Sequence, residues 1–267
     1  MAAFALTRCP LPLQRRRVAV HHVADLTPSY RRIRFAGEEL AGFRTPGADD
    51  HIRIFFPPKG EPLPPAEGEG MPAGLASREF TPAVWDAENG ILSIDFALHA
   101  DGVASGWASS ARVGDEVFVG GPRGSLLVEG APDWWLLAGD LTSLPAIRRH
   151  LAAVASGTPV DAIVWSDDAA DEQELSSPGD LTVRWVHPEP GWPTGDVTAL
   201  VAALAEVPRR DGEGFAFVAA EQAIVSPARQ LLAERGVDLD RAVVKGYWKR
   251  GVAEYHAPHG PAGRPGA

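Results

Sequence analysis

The stretch SREFTPAVWD sets Arg78, Phe80 and Thr81 together where a loop gives way to a strand. The Arg78 guanidinium can hold a phosphate through two parallel hydrogen bonds. Phe80 can lie against a flat ring, and the Thr81 hydroxyl can reach a ring nitrogen or carbonyl. Side chains alternate along a strand, so Arg78 and Phe80 share one face and Thr81 takes the other. Together they make a clamp for a flat, phosphate-bearing ligand of the flavin type. The same residues also suit an ordinary strand with a surface Arg and a core Phe. Ala83 stands two residues after the Thr.

A second stretch, DFALHADGVASGWASSARVGD, adds to the first. Gly102 permits close backbone approach. Val103, Ala104 and Ser105 present amides at a helix start, a place that favours a pyrophosphate. His99 ends a strand and can face a ring, and Trp107 can pack under an adenine. Each has a plainer reading: Trp107 as core, His99 as a hydrogen-bonded structural residue, Asp101–Gly102 as a common turn. In AGDLTSLPAI, a strand runs through Gly139 into Asp140 and Thr142 and then a helix, a dinucleotide-style edge or an ordinary helix cap. It is not a G-x-G-x-x-G fingerprint. Trp248, in GYWKRG, either covers a ligand or closes the sheet.

These residues need elements to hold them. The first half reads as short strands and turns: VAVHHVADLTP and YRRIRFAGEEL, HIRIFFPP, FTPAVWD, ILSIDFALH and DEVFVGGPRGSL. Ile52, Ile54 and Phe56 recur with period two. Pro57 to Gly74 is Pro/Gly-rich and reads as an exposed loop. Glu88-Asn89-Gly90 is a hairpin turn. Six or so strands with one brief helix predict a closed antiparallel barrel. From about Asp133 the rhythm changes. WWLLAG, VDAIVWSD, LTVRWVHP, GFAFVAAE and AVVKGYWKRG alternate with helical segments, which predicts a parallel sheet with helices on both faces. The expected fold is α+β in two domains: a barrel over 1–131, an α/β unit over 132–256 and a frayed tail over 257–267.

Composition narrows the function. A net charge of -10 argues against a general nucleic-acid or anionic-membrane binder. A single Cys excludes an intramolecular disulfide framework and a Cys-rich zinc site. His21 and His22 are expected on opposite faces of a strand, and His256 and His259 in the tail, so no metal site is expected. No apolar run reaches the roughly 20 residues of a spanning helix. The N-terminal Arg cluster follows the apolar patch, the wrong order for a secretory signal. The expectation is a soluble cytoplasmic protein.

The chain resembles the siderophore-interacting protein family, flavin-dependent ferric-siderophore reductases of the ferredoxin–NADP reductase superfamily. The resemblance runs from about Val18 to Gly251 and rests on HIRIFFP, REFT, IDFALHADGVASGWASSARVGD, GPRGS, DWWLLAGDLTSLPAI and GYWKRG, in the family's order. It implies FAD held without covalent attachment between a barrel and a nucleotide-binding-like domain. By position, Arg78, Phe80 and Thr81 match the family's Arg-x-Tyr-Thr motif. The stretch carrying Phe96, Ala97, Leu98, His99, Gly102 and Val103–Trp107 matches its second flavin-binding segment. Asp140 and Thr142 correspond to positions near the flavin and the electron donor. Arg53, Arg123 and Lys249 are implied as a basic cluster for an anionic chelate, each otherwise a solvated surface cation. Phe80 replaces the usual Tyr, Ala83 a frequent second Arg, Val103 a frequent Pro, and Arg53 a frequent Lys.

The implied reaction takes electrons from NADH, NADPH or reduced ferredoxin through FAD to the Fe(III) of a bound siderophore. Fe(II) is held weakly by hard oxygen ligands, so reduction releases it. A rival keeps the fold and drops the redox step: a cleft with a bound flavin, or an emptied one lined by Phe80, Trp107 and Trp248, folds an apolar polyene for a non-redox cyclisation. A chelate-binding carrier without turnover is the third reading.

Overall fold

The structure is a computed structural model that describes residues 3–65, 70, 74–99, 102–189, 195–253 and 255. Asp101, His256, His259, the tail from 257 and parts of the expected 57–74 loop lie outside the described residues.

The N-terminal half contains β1 (Phe4–Pro10), β2 (Arg15–Thr27), β3 (Tyr30–Ala36), β4 (Ile52–Phe56), β5 (Ala76–Phe80), β6 (Pro82–Asp86), β7 (Ile91–Ala97), helix α1 (Val103–Ser110), β8 (Glu116–Gly120) and β9 (Gly124–Gly130). Seven strands form one antiparallel sheet in the order β5-β4-β8-β2-β3-β7-β6. Its two edge strands, β5 and β6, are separated in the chain by Thr81 alone. Cα atoms two residues apart are at most roughly 7 Å from each other, so the sheet must curl until its edges meet at Thr81. Alternate residues such as Val18, Val20, Ile33, Ile54 and Val119 fill the interior.

Two details depart from the expected strands. FTPAVWD is not one strand: the ladder breaks at Thr81, because Pro82 has no N–H to donate and opens an edge strand. His21 and His22 are both exposed, because a bulge between Val20 and His22 suspends the alternation expected of them. A separate ribbon of β1 and β9 was not expected from the sequence.

The C-terminal half contains β10 (Trp134–Asp140), α2 (Leu144–Ala153), β11 (Pro159–Trp165), β12 (Asp180–Val186), α3 (Thr198–Glu206), β13 (Gly214–Glu221), α4 (Val225–Glu234) and β14 (Ala242–Trp248). The five strands are all parallel in the order β12-β11-β10-β13-β14. The order reverses between β10 and β13, and crevices at such switch points are where open α/β sheets bind ligands. Leu136, Ala138, Val218 and Ala220 face α3 and α4. Trp135, Leu137, Phe215 and Phe217 face α2.

Helix α2 starts with Pro145 in its first turn, where a missing N–H does no harm, and buries Leu144, Ile147 and Leu151 on one stripe. Each such side chain contributes about 1.5–3 kcal/mol by leaving water. Phe4 and Tyr30 of the first half join the same cluster, so barrel and sheet share one core at their seam. Polar contacts pin it further. Arg149 of α2 donates to the Thr45 hydroxyl at 3.0 Å, the Thr45 carbonyl and the Pro82 carbonyl at 3.3 Å. Asp95, buried on β7, takes two hydrogen bonds from Arg32 and lies 4.0 Å from Arg148 of α2. Asp171 accepts from Thr27 and Ser29 across the same seam.

Candidate functional site at the barrel–sheet seam

The β4–β5 register decides which candidate residues share a face. Ile52 pairs with Phe80 and Ile54 with Arg78, while Arg53 pairs with Glu79. Arg78 and Phe80 therefore share the face of Ile52 and Ile54, and Arg53 and Glu79 share the other. Phe80 packs into the barrel cluster, with its ring centroid 4.6 Å from that of Phe96 and 6.4 Å from that of Phe56. Trp107 is half-buried, stacks on Phe35 at 6.1 Å and tilts against Phe56 and Phe96. Arg78 is half-buried and donates to its neighbour's carbonyl, Ser77 O, at 2.7 Å.

Helix α1 packs against β4, β5 and β7, which brings the second stretch beside the first. Ala97 and Leu98 are half-buried, Phe96 is buried, and Leu98 N donates to Ser29 O at 2.7 Å. His99 is exposed. Its backbone N–H donates to Ser105 Oγ at 2.8 Å, and Ser105 Oγ donates back to His99 O at 2.7 Å. Ser105 thus ties the end of β7 to the first turn of α1.

The N-cap of α1 is Gly102, at φ 141°, and no side chain caps the helix. That backbone conformation favours Gly, and a Cβ there would stand 2.7 Å from His99 Cε1. Val103 and Ala104 open the helix with amides that have no intrahelical acceptor. An uncapped helix start, a glycine cradle and an Arg on the adjoining strand form a donor set that fits the phosphates of a dinucleotide.

Thr81 is buried at the corner of the barrel, against the Tyr247 hydroxyl of β14. Tyr247 and Lys245 both donate to Asp49, which lies in the loop before β4. Burial alone would push the Asp49 carboxyl up; the Lys245 ammonium and the two hydrogen bonds outweigh it and hold the group below the usual carboxylate range. Burial and the Asp49 charge push the Tyr247 phenol well up, so it stays protonated and a donor. This cluster joins barrel to sheet directly behind Thr81. The sequence reading missed it, because Asp49 and Lys245 are far apart in the chain.

At the ends of β10 and β13 lies a crevice lined by Asp140, Trp165, Gly195, Asp196, Val197 and Glu221 among others. Asp140 is buried. Its Oδ1 accepts from the Thr142 amide at 2.9 Å and the Thr142 hydroxyl, and its Oδ2 from Trp248 Nε1 at 2.7 Å. Burial pushes its carboxyl up despite these hydrogen bonds. Asp140 and Thr142 thus have the geometry of a turn cap that also anchors Trp248. The Trp248 ring lies across Gly195, where a Cβ would meet it at 2.4 Å. Phe80 and Trp107 sit in the barrel cluster and Trp248 at this crevice, so the three do not line one apolar cleft.

Of the three candidate cations, Arg53 forms an ion pair with Glu79 at 2.8 Å, while Arg123 and Lys249 are exposed. Arg123 follows Gly121, whose ideal Cβ would touch His51 O, so Arg53 and Arg123 lie near each other along the backbone. Lys249 follows β14 on the other side of the seam.

Comparison with known proteins agrees with this architecture. Residues 19–126 match the family model for the siderophore-interacting FAD-binding domain, and residues 132–251 match that for siderophore-interacting protein. The NADPH-dependent ferric-chelate reductase of Escherichia coli is 33% identical over 245 residues, covering 88% of this chain and 93% of that protein. The ferric vibriobactin reductase ViuB of Vibrio cholerae is 32% identical, covering 84% and 86%. A siderophore utilization protein from T. fusca has a crystal structure that superposes with a TM-score of 0.86 at 33% identity, covering 94% of this chain and 98% of that one. The cytochrome b5 reductase domain of Ulva prolifera nitrate reductase shares the fold at a TM-score of 0.60 and 14% identity.

Proposed function

The chain belongs to the siderophore-interacting protein family, and on that premise we propose that it is an FAD-dependent ferric-siderophore reductase. NADPH or NADH is the donor, with reduced ferredoxin as the alternative, and the setting is the cytoplasm. The division of labour we propose places the flavin on residues 1–131 and donor-side contacts on 132–256. The observation that carries this reading is the cradle at β5, β7 and α1: an uncapped helix start beside Gly102 and Arg78.

Arg78 and the Val103–Ser105 amides would hold the phosphates of FAD, with Phe80, Thr81 and His99 toward its rings. When bound, FAD supplies the coupling between a hydride donor and a one-electron acceptor. The chain's own residues bind and orient. Asp49, Lys245 and Tyr247 fix β14 against the barrel corner, and the Asp140–Trp248 hydrogen bond sets the indole at the crevice. Arg53, Arg123 and Lys249 are the chelate-facing cations of this reading. No general acid or base is required, because an electron moves to Fe(III) without a proton being taken from the substrate.

The test is a visible spectrum of purified protein with and without added FAD. Anaerobic mixing with NADPH or NADH and a ferric chelate follows, with Fe(II) trapped by a coloured ligand. Flavin absorbance and donor-dependent Fe(II) release are expected. A protein that takes up no flavin, or one that is yellow yet reduces no chelate with any donor, ends this reading.

A further inference from the structure

We propose that Tyr247, backed by Asp49, is a positioning residue that takes up the Thr81 hydroxyl hydrogen, leaves Thr81 only lone pairs to offer the flavin ring, and so favours reduced over oxidised FAD; this rests on the reading of Thr81 as turned toward the rings of FAD.

Donors and acceptors along one buried chain of polar groups fix the direction of its hydrogens. Asp49 is buried in the loop before β4. An ionised carboxylate only accepts. Its Oδ1 takes the Tyr247 hydroxyl hydrogen, and its Oδ2 takes one from the Lys245 ammonium. A phenol has a single hydrogen, so the Tyr247 oxygen is left with lone pairs alone. The buried Thr81 hydroxyl donates to that oxygen. Its one hydrogen is then spent, and it meets any further neighbour as an acceptor. Thr81 stands alone between β5 and β6, Asp49 belongs to the barrel half, and Tyr247 to β14. The polarity of the Thr81 hydroxyl is therefore set across the seam, by residues from both halves.

That polarity matters to a redox ring. Flavin N5 is a bare lone pair when oxidised and carries a hydrogen when reduced. An acceptor held against it gains a hydrogen bond in the reduced state and makes none in the oxidised state. A free hydroxyl turns to suit either state and prefers neither. Holding Thr81 as an acceptor thus raises the midpoint potential, which eases loading by a hydride donor and leaves less drive toward Fe(III).

The test measures midpoint potentials by dye equilibration at pH 7 for the flavin-loaded natural chain, Tyr247→Phe, Thr81→Val and the double variant. Each single variant is expected to shift the reduced-to-oxidised ratio about three- to tenfold toward oxidised, about 15–30 mV lower for a two-electron couple. The double variant is expected to match Thr81→Val. Thr81→Ser keeps the hydroxyl and is expected to keep the natural potential. Tm and the flavin spectrum check that each variant is folded and loaded. Where Tyr247→Phe does not fold, Asp49→Asn decides. Loss of the negative charge alone raises the potential, whereas an Asn amide donating to Tyr247 turns the chain round, frees the Thr81 hydrogen and lowers it. A potential unmoved by Tyr247→Phe, or moved equally with Val at position 81, overturns the proposal, because Tyr247 then acts by packing or through the Asp49 charge. A flavin-loaded protein that reduces no chelate overturns the reductase reading instead, and the potentials still judge Tyr247. A chain that takes up no flavin ends both.

Discussion

His150, on the last turn of α2, offers a sharp test of how the seam is built. Its ring is buried among Trp135, Phe215 and Phe217, with centroids 4.9 to 6.0 Å away, and its Nε2 has no hydrogen-bond partner among the described residues. Burial, with the Arg149 and Lys245 charges, outweighs the pull of Asp49 and lowers its pKa from 6.5 to about 4. Between those values the folded protein binds fewer protons than the unfolded chain. Stability from this group is therefore complete above pH 6.5 and is lost as pH falls toward 4. The whole window amounts to about 3 kcal/mol, and the loss at pH 5 to about 2 kcal/mol. His150→Phe keeps an aromatic ring in the box and removes the titration. Burial raises Asp140 and Asp50, which act in the opposite sense as pH falls, so the informative quantity is the difference between the two proteins. Urea unfolding followed by tryptophan fluorescence at pH 7, 6 and 5 measures it. The natural chain should lose about 2 kcal/mol more than the variant between pH 7 and pH 5. Equal losses would show that the imidazole is solvated or paired, and the packing account of α2 would be wrong.

Other perturbations test other parts of the site. Arg78→Ala should weaken FAD binding by about ten- to a hundredfold, the worth of a charge-assisted hydrogen bond of about 1.5–3 kcal/mol, as read by flavin titration. Gly102→Ala forces a side chain onto φ 141° and toward His99; a stability loss of about 1–3 kcal/mol and poorer flavin retention are expected from thermal melts and spectra. Trp248→Phe removes a donor from the buried Asp140 carboxylate and should cost about 1.5–3 kcal/mol at neutral pH, less as acid protonates the group, in a melt series against pH. Asp49→Ala leaves Lys245 and Tyr247 without their acceptor; because Lys245 is 35% exposed, a loss of about 1–3 kcal/mol is expected from urea unfolding.

Local pattern carried most of the architecture. Period-two strands, the Asn-Gly turn, apolar runs alternating with helical stripes, and Gly102 before a helix are all short-range statements about backbone geometry. They predict a barrel followed by a parallel sheet. REFT and GVASGW were visible as candidate ligand-binding residues for the same reason: each motif is complete within a few positions. FTPAVWD reads as one strand in the sequence, and the break that Pro82 imposes at Thr81 emerges only in the fold.

What needed the folded chain were relations between distant residues. No local pattern says that β1 pairs with β9, because each strand is half-exposed and finds its hydrogen bonds only in the other. Nor does it say that Phe80 and Trp107, both half-buried, each pack against Phe56 and Phe96. That Glu79 stands opposite Arg53 depends on the strand register, and the acidity of Asp49 depends on Lys245, almost two hundred residues away. Side-chain type and spacing determine which chemistry is available. Whether a cation is offered or cancelled, and whether an aromatic is exposed or packed, is decided by which faces the tertiary fold brings together and closes to water.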